Sequence, residues 1–138
     1  MSSAGNDLLQ AVFSALSSSE PLTAVIGADG LRDRLVAGTR LPAVILSEMT
    51  SSDYSTATEA GEAHDLILEI WSDAAGRRQA LEIAAMLQGL LHDAALPLAA
   101  SLLVNLRHVS TRSRREALSG LFSVTMRFRA VTEPLAGN

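Results

Sequence analysis

Cysteine is absent from this chain, and so is lysine. The first absence excludes disulfides, zinc thiolates and a cysteine nucleophile. The second makes every basic residue an arginine. Aromatic residues are also scarce, at 4%. A core must therefore be assembled from Leu, Val, Ile and Ala, and the 48% hydrophobic content is enough for one. No long apolar run is present. Residues 94–104 are the most apolar stretch, too short for a membrane span and interrupted by Pro97. The first seven residues, MSSAGND, offer neither a basic n-region nor an apolar h-region, so no secretory signal is expected. No partner membrane is expected either.

With 138 residues, the chain is expected to form a single domain over 1–138. A chain of that size buries roughly two-thirds of its unfolded surface. The net charge of −4 argues against a generic nucleic-acid binder. That average hides a segregation. Between Arg40 and Asp73 lie Glu48, Asp53, Glu59, Glu62, Asp65, Glu69 and Asp73, with no base between the two ends. Between Ser101 and Thr132 lie Arg107, Arg112, Arg114, Arg115, Arg127 and Arg129, against Glu116 alone.

Periodicity supplies the elements. Asn6 reads as an N-cap with Asp7 in the first turn, and Leu8, Leu9, Val12, Phe13 and Leu16 follow at helical spacing. This predicts a helix over 7–17. Pro21 opens a short helical turn through Ile26, closed by Gly27. Residues 28–41 read as one helical turn or an irregular loop, with Leu31, Leu35 and Val36 set among Arg32, Asp33 and Arg34. A strand is expected over 43–49 after Pro42. A second covers 63–71, with Leu66, Leu68 and Ile70 on one face and Asp65, Ile67, Glu69 and Trp71 on the other. Ser72 or Asp73 is expected to cap a helix over 76–94, with Ala80, Ile83, Ala84, Leu87, Leu90 and Leu91 inward. A third strand is expected over 102–109. A fourth covers 121–131, with Phe122, Val124, Met126 and Phe128 inward and Ser123, Thr125, Arg127 and Arg129 outward.

The expected fold class is therefore α+β, in the order α-β-β-α-β-β. It is an antiparallel four-stranded sheet with helices packed on one face and long hairpins. No repeat at a solenoid period is visible. The connections over 50–62 and 110–119 exceed the usual two to five residues of a hairpin loop. One is acidic and the other basic.

Chemistry is poorly represented. His64, His92 and His108 are not spaced as metal ligands, and each reads as a surface or sheet-edge residue. No G-x-S-x-G elbow is present. Gly27, Gly30 and Gly38 form neither a P-loop nor a dinucleotide fingerprint and read as turn glycines. Glu48 and Glu69 could face each other on adjacent strands, but they read as part of a solvated or interface face rather than an acid/base pair. The arginines at 112–115 have no aromatic residues interleaved to stack bases, so nucleic acid ranks below a solvated loop or an acidic protein surface. Trp71 reads as core or interface filler whose indole N–H needs a partner. No metal, cofactor or catalytic residue is expected, and the chain is not expected to be an enzyme.

Three blocks, VILSEMTSSDYST (44–56), EAGEAHDLILEIW (59–71) and MRFRAVTEP (126–134), resemble the tail-completion or tail terminator proteins of long-tailed phages and gene transfer agents. The resemblance implies a structural subunit of a particle's neck and tail, assembled in the bacterial cytoplasm. It implies a homo-oligomeric ring, commonly a hexamer, that caps the tail tube at its head-proximal end. Such a ring stops tube polymerisation and joins the tail to the head connector. The implied partners are the tail tube protein and a connector or stopper protein, with DNA passing through the ring without sequence-specific binding. Interface residues are then expected among Glu48, Asp53, Tyr54, Glu59, Glu62, Asp65, Glu69, Arg107, Arg112, Arg114, Arg115, Arg127 and Arg129. A neighbouring connector component such as a stopper is one alternative. A stand-alone dimeric ligand-binding or enzymatic domain is the other, and it needs a pocket with convergent polar groups.

Overall fold

The computed structural model describes residues 3–34 and 38–135. Leu35 and Val36 of the uncertain 28–41 reading, and Met1 and Ser2 of the N-terminal reading, lie outside them. The elements are α1 (Ala4–Ser17), α2 (Glu20–Ile26), β1 (Leu31–Arg32), β2 (Ala43–Asp53), β3 (Glu62–Ser72), α3 (Arg78–Leu91), β4 (Ser101–Arg115) and β5 (Phe122–Pro134). The fold is α+β, as expected, but the sheet has five strands and is mixed. Its order is β1-β2-β3-β5-β4. The extra strand β1 runs parallel to β2, pairing Leu31 with Val44 and Arg32 with Ile45. Two residues are too few to show a period-2 pattern, so 31–32 was unreadable as a strand.

The helix starts differ from expectation for capping reasons. Ser3, not Asn6, is the N-cap of α1, and its hydroxyl accepts the Asn6 N–H at 3.0 Å. Asp7 does fall in the first turn, where it is buried. It accepts from the Ala100 N–H at 3.2 Å and the Ser101 hydroxyl at 3.4 Å, tying α1 to the start of β4. Ser19 caps α2 with its side chain, Pro21 sits in the first turn, and Gly27 ends the helix at φ +84°. Neither Ser72 nor Asp73 caps α3. Arg77 holds that place without a side-chain cap bond. Ser72 instead donates to Gln79 Oε1 at 2.7 Å and accepts from the Ala74 N–H, so the end of β3 anchors the first turn of α3.

One face of the sheet carries the core. Val44, Leu46, Leu66, Leu68, Ile70, Leu106, Val124, Met126, Phe128 and Ala130 pack against Leu8, Val12 and Leu16 of α1, Leu22 and Ile26 of α2, and Ala80, Ile83, Ala84, Leu87 and Leu91 of α3. The inward stripe read for α3 holds, with Leu90 only half-buried. The inward face read for β5 holds at Val124, Met126 and Phe128, while Phe122 is half-buried. Ser123, expected outward, is buried.

The histidine reading fails at His64, which has no exposed surface. Its Nδ1 lies 2.6 Å from Ser51 Oγ and its Nε2 lies 2.9 Å from Thr132 Oγ1. Both ring nitrogens are satisfied by hydroxyls on the flanking strands, which is what makes burial of an imidazole tolerable. Burial pushes its pKa below the ordinary value, with the Glu62 carboxylate opposing that shift.

The hairpin reading also needs correction. Part of what looked like long connections is strand. β2 runs on to Asp53 and β4 to Arg115. The first connection then closes through Tyr54 N–H to Gly61 C=O and Thr56 N–H to Glu59 C=O, at 2.9 and 2.8 Å. The second is a tight turn in which the Gly120 N–H donates to the Glu116 C=O, with Gly120 at φ +75°.

Candidate assembly surface

The face opposite the helices is the open side of the sheet. The register sets what lies on it. Thr50, Asp65, Arg129 and Arg107 form one cross-strand row, and Glu48, Ile67, Arg127 and Ser110 form another. Ile45, Glu69, Thr125 and Arg112 form a third, and Ala43, Trp71, Ser123 and Arg114 a fourth. The face is thus divided by charge. Its β2–β3 half carries Glu48, Asp65 and Glu69, and its β5–β4 half carries Arg107, Arg112, Arg114, Arg127 and Arg129.

Opposite charges do not neutralise one another here. The side-chain ion pairs among the described residues are Arg32–Asp29 and Arg78–Glu82, with a His92 Nε2–Asp93 contact beside them, none of them on this face. Arg129 lies over the Tyr54 ring, 5.6 Å from its centroid. The Trp71 indole N–H donates to Glu69 Oε1 at 3.1 Å, which supplies the partner that residue requires. Glu48 and Glu69 share the face but not a row, because a bulge between Leu46 and Glu48 intervenes. They do not form an opposed carboxylate pair.

The remaining expected site residues sit at the two ends of the sheet. Asp53 pairs with Glu62 at the β2–β3 tip, where Tyr54 and Glu59 also lie. Arg115 pairs with Phe122 at the β4–β5 tip, on the helix-side parity. Because Glu62 pairs with Thr132 and Ser72 with Phe122, the two tips point from opposite ends of the sheet. They cannot meet within one chain. About ten residue rises, roughly 33 Å, separate them.

Three features escaped the sequence. Leu118 is fully exposed at the β4–β5 turn, and a lone leucine in EALSG was the signal for it. Arg77 reaches from the start of α3 to Ser113 Oγ at 3.2 Å and lies over Phe122 at 5.3 Å, bracing the basic end of β4. No spacing announces that contact. His92 accepts the His108 N–H at 3.0 Å, across sixteen residues.

An open recess of about 550 Å³ lies between α1 and β1, lined by Phe13, Ser17, Leu31, Arg32 and their neighbours. Among the described residues, no three His, Asp or Glu side chains converge as a metal site. No helix among the described residues is long and apolar enough to cross a membrane.

Together these features define a helix-backed sheet subunit whose opposite face carries charges divided by sign and not ion-paired among the described residues, beside a buried patch that includes Ala43, Ile45 and Ser123. The chain belongs to the family Tail completion protein gp17, whose model matches residues 10–133. It is also similar to a chain in the solved structure titled "Virion of native gene transfer agent (GTA) particle". The TM-score is 0.86 at 28% identity, with 96% of this chain and 99% of that chain covered. No curated protein sequence matches it.

Proposed function

We propose that this protein is a structural component of a phage-like tail, as in a gene transfer agent particle, and forms a ring that terminates the tail. The observation that carries the reading is the end-to-end likeness to a chain of a gene transfer agent virion, coupled to the family match. The ring, commonly of six copies in such proteins, caps the tail tube at the end nearest the head. It stops tube growth and joins the tail to the connector, with DNA passing through its lumen. The chain acts by assembly and not by catalysis.

The charge-divided sheet supports this reading physically. The acidic β2 side of one copy meets the arginine-bearing β4 side of the next, with the acids of β3 and the arginines of β5 behind them. Such contacts are heterologous and close into a ring when the rotation permits. Charge complementarity sets register and partner choice more than raw affinity. The testing experiment is native mass measurement of the full-length chain, alone and mixed with its tail tube protein. A closed oligomer, or a discrete complex that stops tube elongation, is expected. A monomer under both conditions overturns the reading.

A further inference from the structure

The sheet ends in two edges, and each is partly closed by the chain itself. On the β2 side, β1 covers only Val44 and Ile45. Residues 48–53 of β2 have no backbone partner on that side among the described residues, and all except Met49 are exposed. On the β4 side, the middle of the strand is occupied. The Leu106 C=O accepts from the Asp93 N–H at 2.8 Å, and the His108 N–H donates to His92 Nδ1. Bulges between Leu103 and Asn105 and between His108 and Ser110 bracket that covered stretch. Beyond it, residues 110–115 run regularly against β5 and lack an outer partner among the described residues. Exposed regular edges are usually blunted in folded proteins because they template pairing with another chain. Here bulges and the His92–Asp93 segment blunt part of β4, while six residues on each edge are left open.

The two open stretches match. They are equal in length and opposite in charge: EMTSSD ends β2 and STRSRR ends β4. Their directions also match. Three successive antiparallel pairings leave β2 and β4 running opposite ways. Joining β2 of one copy to β4 of the next therefore continues the antiparallel order without inverting either copy.

We infer that residues 48–53 of β2 and 110–115 of β4 in a second copy pair edge to edge, extending one sheet from subunit to subunit. This rests on the ring reading above and names the surface that builds the ring. The open faces must align, which restricts the register. Glu48, Thr50 and Ser52 lie on the open face, as do Ser110, Arg112 and Arg114. Setting Glu48 opposite Arg114 sets Thr50 opposite Arg112 and Ser52 opposite Ser110. Main-chain hydrogen bonds then supply adhesion, and the Glu48–Arg114 pair selects the register.

The absence of cysteine makes the test clean. In one chain, β2 and β4 are separated by β3 and β5, so Ser52 and Ser110 lie roughly 14 Å apart or more. That exceeds the Cα separation of about 7 Å that a disulfide tolerates. A disulfide in Ser52→Cys/Ser110→Cys must therefore join two copies. The full-length double variant is oxidised as the assembled oligomer and run on a denaturing, non-reducing gel beside its sedimentation profile. A covalent ladder extending to the size of the assembly is expected, with no ladder from either single variant or from Ser52→Cys/Leu118→Cys. An oligomer that sediments normally but yields no ladder overturns the edge pairing and leaves the ring reading intact. A chain that stays monomeric with and without tail tube protein overturns both.

Discussion

Asp65 and Arg129 stand directly opposite each other on β3 and β5, yet their charged groups form no ion pair. The Arg129 guanidinium lies over Tyr54 instead. An opposed pair left open on a solvent-facing sheet keeps Asp65 available to a guanidinium from outside. Tyr54 is 56% exposed and contributes little to the core. Tyr54→Ala should shift folding stability by less than about 1 kcal/mol, since an exposed cation–π contact is worth little more. It should weaken oligomer formation by releasing Arg129. Thermal melting beside sedimentation separates the two effects, and a large loss of melting temperature would assign Tyr54 to the fold.

His64 gives the fold a pH dependence with a definite sign. Its folded-state pKa is depressed by burial, so the unfolded chain binds the proton more tightly. The neutral ring's stabilising contribution is fully present above the unfolded value of about 6.5. It is lost as pH falls from there through the folded value. Melting temperature should therefore decline below about pH 6.5. His64→Gln, which keeps a donor and an acceptor, should flatten that decline. An unchanged pH profile in the variant would place the acid sensitivity elsewhere.

Phe128 is fully buried in the cluster that joins the sheet to the helices. Phe128→Ala should cost about 3–5 kcal/mol, through lost transfer free energy and the cavity left behind. Urea denaturation measures it. A cost below about 1 kcal/mol would mean that the core closes over the gap.

Gly30 sits where the chain leaves α2 and enters β1. A Cβ there would collide with the Ile26 carbonyl, a backbone group that cannot rotate away. The same residue's C=O accepts the Val44 N–H at 2.8 Å, starting the parallel pairing. Gly30→Ala should cost about 1–3 kcal/mol or more, as overpacking against a fixed group does. Gly76→Ala, which meets open space, is the control and should be near neutral by melting temperature.

What the sequence disclosed follows from burial. Strand β5 alternates because one face meets the helices, and α3 shows its stripe for the same reason. Residues 50–53 and 110–115 were misread as loop because both faces of those strand ends are solvated. A strand of Ser, Thr and Arg with no buried face has no apolar period to detect. His64 was misplaced because its partners, Ser51 and Thr132, are joined to it only by strand pairing. The charge segregation was legible, but its geometry was not. Linear blocks of acid and base became two halves of one face only through the β3–β5 pairing. The tips are connections over 54–61 and 116–121, shorter than expected, at opposite ends of the sheet.

The basic end of β4 offers the sharpest separation of folding from assembly. Arg112, Arg114 and Arg115 are exposed, and none is ion-paired among the described residues. Nothing in the fold therefore depends on their charge. Arg112→Glu/Arg114→Glu/Arg115→Glu should leave circular dichroism unchanged and melting temperature nearly so, as surface substitutions usually do. Assembly should fail, because the glutamates at 112 and 114 would then face the acidic side of a neighbouring copy. Juxtaposed like charges at an interface cost several kcal/mol. Wild-type assembly should weaken as salt rises, since exposed charges separated by more than about 8 Å are screened at physiological ionic strength. The measurements are circular dichroism, sedimentation over a salt series, and particle infectivity or gene-transfer titre. Retained assembly with full titre would reduce the three arginines to a solvated strand end. Loss of the circular dichroism spectrum would instead assign the end of β4 to the folded core.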